Sequence, residues 1–181
     1  LDIAVLESYH VSEAFKIINH PKTNIFENIS EPEYRIIRRR IIECVLATDM
    51  AVHSKHLTQL KAKLEALEIV NGKNIELLQK ENVNKNHESQ QIVLNMILHS
   101  ADVSNPGKPL KVYKKWVNLV FAEFFSQGDI EKNKGLAISL LCDRECTNIS
   151  KSQIGFINFI VKPTFECRSE EHTSELQSHH V

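Results

Sequence analysis

The chain has 181 residues and a formal net charge of −1, with 42% hydrophobic and 25% charged residues, which is ordinary for one soluble globular domain. So small a net charge argues against a nucleic-acid-binding protein, and no uninterrupted apolar stretch is long enough to span a bilayer. The four cysteines lack the spacing of a zinc site and the first residues lack a signal-peptide pattern, so we expect a cytoplasmic protein without disulfides.

The first clear helix start is Ser30-Glu31-Pro32-Glu33, which has the pattern of a capping box. Ser30 is expected to cap the helix and Glu33 to reach back to it, while Pro32 lies in the first turn, where its missing N–H is harmless. The spacing predicts one long helix that continues more weakly toward Leu67. Its apolar face comprises Ile37, Ile41, Cys44, Val45, Thr48 and Val52.

Polar residues of this region have plain interpretations. The basic run Arg38-Arg39-Arg40 is interpreted as a solvated helix face. His53 and His56 are three residues apart, but no carboxylate or cysteine completes a metal set, so we interpret them as surface or satisfied histidines. Residues 71–89 are rich in Asn, Lys and Glu and predict a surface connection, with a helical turn at 75–78.

Asp102 lies at the end of the next predicted helix. Apolar residues from Ile92 to Ala101 recur at helical spacing, and Asn105-Pro106-Gly107 then stops the helix. A carboxylate at this end is unfavourable for the helix dipole, which favours cations there. The sequence therefore leaves two interpretations: an exposed or capping carboxylate, or a metal ligand. His99, one turn earlier, is interpreted as a structural hydrogen-bonding residue.

Two further helices complete the prediction. Leu110 to Gln127 carries a broad aromatic face, with Gly128 suited to the position just after the helix end. Ile149 to Val161 forms the other, and Pro163 is expected to end it. No segment shows the strict alternation of a strand, so the pattern predicts an all-α fold.

Four segments, taken in this order and at these separations, resemble the catalytic domain of the class I cyclic-nucleotide phosphodiesterases. They are residues 98–109, 116–129, 142–144 and 152–165, and the resemblance extends through 45–50 and, more weakly, through 5–10. It implies that residues 1–166 form the C-terminal part of that domain, a partial multi-helix bundle of the HD type, without the upstream metal-binding helices. Residues 167–181 are expected to be a non-native tail, because most of them resemble an in-frame translation of a sequencing adapter.

The resemblance also implies the chemistry. The family hydrolyses a 3',5'-cyclic nucleotide to the 5'-monophosphate with two divalent metal ions, Zn²⁺ and Mg²⁺ or Mn²⁺. Asp102 matches a metal ligand. Glu7, His10, Thr48 and Asp49 match positions beside the metals or in the pocket wall. Because the remaining ligands are absent from this sequence, we expect the isolated chain to be inactive.

The expected nucleobase site takes its residues from three of the segments. The resemblance implies that Gln153 binds the purine edge and that Phe156 forms one side of a clamp on the base, with Val120 and Phe124 on the opposing wall. From the residues alone, Phe156 and Val120 are interpreted as ordinary core residues. Asn105 matches a position that adds a hydrogen bond to adenine, which favours cyclic AMP over cyclic GMP.

Two other interpretations stay open at this stage. One is a non-catalytic fragment that binds purine nucleotides or partner helices. The other is a chain that does not fold stably, because covering helices are missing and large apolar side chains are left exposed.

Overall fold

The computed structural model describes residues 3–71 and 87–167, with side chains described for 3–64 and 87–167. Within these ranges every regular element is helical, which confirms the all-α prediction. Most of the predicted 71–89 connection and nearly all of the predicted tail lie outside the described residues. No described helix combines the length and apolar character needed to cross a membrane. The α-helices are α1 (Val5–Ile18), α2 (Glu31–Leu46), α3 (His53–Asn71), α4 (His87–Asp102), α5 (Leu110–Asn133) and α6 (Ile149–Phe156).

The chain divides into two compact units, Leu1–Asp102 and Val103–Val181. In the first unit, α2 packs against α1 and α4, and α3 packs against α4. Among residues 3–64 and 87–102, the buried apolar side chains of this unit are Phe15, Ala47, Leu60, Ile92 and Met96. Helices α3 and α4 also bury polar side chains, among them His53, Gln91, Asn95 and His99.

The predicted capping box forms at the start of α2. The backbone N–H of Ser30 donates to Oε2 of Glu33 at 3.2 Å. Hydrogen bonds from the Ser30 side chain and backbone lower the pKa of the Glu33 carboxyl, because they favour its charged form. The helix therefore begins where the sequence predicts.

The prediction of one uninterrupted helix toward Leu67 was wrong. α2 ends at Leu46, a 3₁₀ turn follows at Met50–Val52, and α3 starts at His53. Asp49 caps the turn by accepting the N–H of Ala51 at 2.8 Å, and the Thr48 hydroxyl donates to the carbonyl of Val45 at 2.8 Å. Such side-chain bonds to the backbone compete with helix continuation.

Two of the three residues in the arginine run, Arg38 and Arg39, are exposed, as the solvated-face interpretation expects, and Arg40 is half-buried. The Arg38 guanidinium lies 5.0 Å from the centre of the Phe15 ring, so it packs on α1. Arg40 donates to Oε1 of Gln90 at 2.9 Å, which joins α2 to α4. These side chains take part in helix packing.

In the second unit, α5 supplies the centre of the packing. Val117 and Phe121 are buried, and the Phe121 ring lies 5.7 Å from that of Phe124 and 5.6 Å from that of Phe125, measured between centroids. Edge-on and tilted pairs of this kind add to the hydrophobic stabilisation. The aromatic face predicted for this helix is therefore partly its core.

Gly128 does not follow a helix end, so that prediction was wrong. α5 continues to Asn133, and Gly128 is buried within it. A Cβ at this position would lie 2.0 Å from the carbonyl oxygen of Cys142, so glycine is required by close approach of the two backbones. Gly135, two residues after the end of α5, is the C' residue: its φ of +67° suits the left-handed residue of a Schellman motif, and Leu136 N–H is bonded to the Glu131 carbonyl at 2.9 Å.

Pro163 does not end the last helix. After α6 the backbone forms a π turn at Ile157–Val161, in which Lys162 N–H bonds to the carbonyl of Ile157, and residues 162–167 are helical again. A proline within a helix removes one N–H and crowds the carbonyl four residues earlier, here that of Phe159. The wider π turn accommodates this crowding, so the chain passes through the proline as a helix.

Candidate functional site

Three polar residues of the second unit form a hydrogen-bonded chain. Tyr113 on α5 donates its hydroxyl proton to Oε1 of Gln153 on α6, at 2.9 Å. The amide nitrogen of Asn105, in the 3₁₀ turn Asn105–Gly107, donates to the backbone carbonyl of Tyr113 at 3.4 Å. These two hydrogen bonds therefore orient two side-chain amides. The hydroxyl of Tyr113 orients the Gln153 amide, and its backbone carbonyl orients the Asn105 amide.

These two bonds do not use Oδ1 of Asn105 or the amide nitrogen of Gln153. Oδ1 of Asn105 is buried and has no hydrogen-bond partner among the described residues. Gln153 is half-buried, and its amide nitrogen is not used by the bond from Tyr113. A buried acceptor without a partner is unfavourable by about 1–3 kcal/mol, and a ligand can bring a donor to Asn105 only if its side chain turns toward that ligand.

Apolar side chains accompany these amides. Phe156 is half-buried and lies one turn after Gln153 on the same face of α6. Val120 and Phe124 lie two and three turns after Tyr113 on one stripe of α5, with Val120 39% exposed. A ring beside a fixed amide is the combination that can stack on a planar base and read its edge.

Tyr113 belongs to this hydrogen-bonded chain, and sequence reasoning did not single it out. The periodicity placed it on an apolar face of α5, where it was one of several aromatic residues. A signal was available, because a buried tyrosine hydroxyl nearly always needs a hydrogen-bond partner. Its partner is forty residues away, however, so the sequence could not identify Gln153 as that partner.

Asp102 belongs to the first unit and is exposed at the end of α4, and that helix ends where the sequence predicts. One turn earlier, Nε2 of His99 lies 2.8 Å from Nδ1 of His53, and both rings are buried. Burial is the main cause that lowers the pKa of each of these histidines, while the charge of Asp102 acts in the opposite sense on His99. The prediction that His99 is a structural hydrogen-bonding residue agrees with this pairing.

The other four candidate residues of the first unit form two pairs. Glu7 lies in the first turn of α1 and is half-buried. His10 follows one turn later and is exposed. Thr48 and Asp49 lie at the break between α2 and α3, where both make bonds to backbone groups. Among the described residues, no hydrogen bond or ion pair joins one pair to the other. Their expected roles stay predictions, as does the convergence of Asp102 with the amides of the second unit.

The described residues do not by themselves fit a divalent metal ion. No group of three or more His, Cys, Asp or Glu side chains that could hold a metal occurs in the described part of the chain. Zinc sites use about four ligands and calcium or magnesium sites six or more, counting water. A single exposed carboxylate such as Asp102 can contribute one ligand, and other groups must supply the rest.

Comparison with known sequences identifies close relatives. The chain is 41% identical over 165 residues to the 3',5'-cyclic-AMP phosphodiesterase, isoform F, of Drosophila melanogaster, which covers 91% of this chain and 24% of the relative. It is 39% identical over 165 residues to the 3',5'-cyclic-AMP phosphodiesterase 4C of Rattus norvegicus, covering 91% of this chain and 30% of the relative. The chain thus spans less than a third of either relative.

Solved structures agree with the sequence comparison. LmjPDEB1 in complex with IBMX superposes with a TM-score of 0.76 at 31% identity, covering 96% of this chain and 48% of that one. The phosphodiesterase domain of the RhoPDE fusion protein from the choanoflagellate Salpingoeca rosetta gives 0.77 at 32% identity, covering 98% and 52%. The family model of the 3'5'-cyclic nucleotide phosphodiesterases matches residues 1–180. The resemblance seen in the sequence is thereby confirmed, and the chain belongs to the 3'5'-cyclic nucleotide phosphodiesterase family.

Proposed function

We propose that this chain supplies the base-recognition part of an enzyme that hydrolyses a 3',5'-cyclic nucleotide to the 5'-monophosphate, with cyclic AMP preferred to cyclic GMP. Family membership supports cyclic-nucleotide hydrolysis as the reaction class. The hydrogen-bonded chain from Asn105 through Tyr113 to Gln153 carries the proposed preference.

Adenine and guanine differ in the donors and acceptors on the edge that these amides would meet. Adenine presents an exocyclic N–H₂ donor where guanine presents a carbonyl acceptor. The free Oδ1 of Asn105 needs a donor, and Oε1 of Gln153 has a second lone pair while its N–H₂ can donate to a ring nitrogen. Guanine in the same pose would place its carbonyl oxygen, which is an acceptor, against the acceptor oxygens of Asn105 and Gln153. An unmatched pair of this kind disfavours binding by about 1–3 kcal/mol, or roughly 5- to 150-fold.

The apolar residues have a complementary role in the proposal. Phe156 stacks on the base, and Val120 and Phe124 form the opposing wall, so the base is held between apolar surfaces while its edge meets the amides. Burial of the base also excludes water from these hydrogen bonds, which strengthens their contribution to selectivity.

Hydrolysis itself requires water to attack phosphorus and the bond from phosphorus to the 3'-oxygen to break, with a proton delivered to that oxygen. The family implies a dependence on divalent metal, and we propose Zn²⁺ with Mg²⁺ or Mn²⁺, for which Asp102 supplies one ligand. We further propose that Glu7, His10, Thr48 and Asp49 act on the phosphate side of the reaction. Because the described residues hold no complete metal set, the chain alone is proposed to lack hydrolytic activity.

Hydrolysis of cyclic AMP and cyclic GMP by the complete protein, with and without a chelator, tests this function. We expect metal-dependent hydrolysis that falls by a factor of about 100 or more in Asp102→Ala. Loss of the ligand weakens binding of the metal ion, whose positive charge activates the attacking water. Glu123→Gln, an exposed change on α5, is the matched control and should keep full activity. Absence of hydrolysis by the complete, metal-loaded protein would refute the proposal.

A further inference from the structure

The loop between α5 and α6, residues 134–148, lies against the C-terminal part of α5. The backbone N–H and the hydroxyl of Ser139 donate to the two carboxylate oxygens of Glu131, each at 2.7 Å. The carbonyl of Cys142 lies at the close approach to Gly128 described above. The loop is therefore held on α5 before the chain enters α6.

Arg144 makes a bidentate ion pair between this loop and α5. Its Nε donates to Oδ1 of Asp129 at 2.9 Å, and its Nη2 donates to Oδ2 of the same carboxylate. These hydrogen bonds lower the pKa of the Asp129 carboxyl, because they favour its charged form. Most exposed ion pairs contribute little, but two parallel bonds from one guanidinium also fix the relative orientation of the two side chains.

The same guanidinium packs on the aromatic cluster of α5. The Cζ atom of Arg144 lies 5.5 Å from the centre of the Phe125 ring, which is a cation–π contact. The Phe125 ring lies 5.6 Å from that of Phe121, and Phe121 in turn lies 5.7 Å from Phe124. Because Phe121 is buried and close-packed, a displacement of Phe125 is passed on to Phe124, one wall of the proposed base clamp.

The backbone of Arg144 leads to the other side of the clamp. A turn from Asp143 to Thr147 encloses Arg144 and is closed by a backbone hydrogen bond of 2.9 Å between these two residues. Asn148 follows directly and caps α6, the helix that carries Phe156. The anchoring of Arg144 on α5 therefore helps to fix where α6 begins.

We propose that Arg144 is a positioning residue for base binding, which sets the spacing between α5 and α6 and hence the width of the clamp formed by Phe124 and Phe156. This inference rests on the proposed function. Arg144 acts through Phe125 and through the start of α6, and it does not need to touch the nucleotide. The bond from Tyr113 joins the same two helices about four turns earlier on α5, so each bond holds a different part of the clamp.

Steady-state kinetics of the complete protein test the effect on base binding. Arg144→Ala should raise KM for cyclic AMP and for cyclic GMP alike, about three- to tenfold, with kcat within about twofold, because a looser clamp holds either base less well. Arg144→Lys keeps the charge without the planar fork and should give an intermediate KM. Lys162→Ala, which breaks an exposed ion pair within one helix, is the control and should change neither constant. An unchanged KM in Arg144→Ala, or a lower kcat at constant KM, overturns the proposal.

Ring signals in ¹H–¹³C NMR spectra of the 181-residue chain test the spacing without nucleotide and without hydrolysis. Arg144→Ala should shift the ring signals of Phe124 and Phe156, on the two sides of the clamp, whereas Lys162→Ala should leave them in place. If circular dichroism shows that Arg144→Ala has lost helix content, Arg144→Lys serves for the same comparison. Unshifted rings in a folded Arg144 variant overturn this inference. Absence of hydrolysis by the unsubstituted complete protein refutes the proposed function instead, so the two failures are distinguishable.

Discussion

The hydroxyl of Tyr113 donates to Oε1 of Gln153 across 2.9 Å, and this bond joins α5 to α6. A free glutamine amide can turn over and exchange its oxygen and nitrogen, so it can pair with either adenine or guanine. The tyrosine bond favours one of these two orientations. Selectivity for a base is therefore expected to depend on a residue that does not itself need to touch the base.

Tyr113→Phe tests this dependence in the complete protein. Loss of the hydroxyl frees the Gln153 amide, so the ratio of kcat/KM for cyclic AMP to that for cyclic GMP should fall about three- to tenfold, the usual worth of one hydrogen bond. Tyr9→Phe, at an exposed tyrosine of α1, is the control and should keep the wild-type ratio. An unchanged ratio in Tyr113→Phe would show that the bond does not set selectivity.

Asp49 combines a structural bond with a proposed site role, and two substitutions separate them. Asp49→Ala removes the cap of the 3₁₀ turn and should lower the free energy of unfolding by about 1 kcal/mol, as measured by urea denaturation. Asp49→Asn keeps the capping oxygen and should retain stability. If the carboxylate also serves the site, Asp49→Asn in the complete protein loses hydrolytic activity while remaining folded. Full activity of that variant would restrict Asp49 to its capping role.

Gly128→Ala should lower the free energy of unfolding by about 1–3 kcal/mol, because the new methyl group would overlap the Cys142 carbonyl oxygen and force the backbones apart. The matched control is Gly155→Ala within α6, where the nearest side-chain atom is 4.0 Å away. Alanine is a better helix former, so that change should be neutral or stabilise by about 0.5–1 kcal/mol. Urea unfolding of both variants measures the difference, and equal effects would argue against the close approach.

The buried histidine pair predicts a loss of stability in mild acid. Burial holds the pKa values of His53 and His99 below their usual value of 6.5, so the unfolded chain binds protons in a range where the folded chain does not. The contribution of this pair to the free energy of unfolding is therefore complete above about pH 6.5. It decreases as the pH falls toward the folded pKa values, by up to about 1.4 kcal/mol per pH unit for each proton. His56, whose pKa is also lowered, adds in the same sense.

Urea midpoints measured between pH 7.5 and 5 test this expectation. His53→Gln should flatten the decline, since one of the titrating groups is removed. A decline in His53→Gln that equals that of the unsubstituted chain would assign it to other groups.

Features fixed by neighbouring residues were predictable from the sequence. The capping box at Ser30 and the end of α4 at Asp102 depend on a few adjacent side chains, and both occur where expected. The break between α2 and α3 was missed, because the apolar spacing continues through it while the decisive bonds of Thr48 and Asp49 are to backbone groups. Local polar competition outweighed the periodicity there.

Features that depend on distant contacts could not be predicted. The role of Gly128 follows from Cys142, which approaches it only after folding, and the partner of His53 lies 46 residues away at His99. The candidate site shows the same division. Gln153 and Asn105 were named through the family resemblance, but the tyrosine that joins their amides emerged only from the structure.

The most direct test of base recognition is the ratio of kcat/KM for cyclic AMP to that for cyclic GMP, measured on the complete protein and on its Asn105→Ala variant. If the free oxygen of Asn105 accepts the exocyclic amine of adenine, the wild-type ratio is well above one and Asn105→Ala lowers it about tenfold. A wild-type ratio near or below one, or a ratio unaffected by Asn105→Ala, would contradict recognition of adenine by these amides.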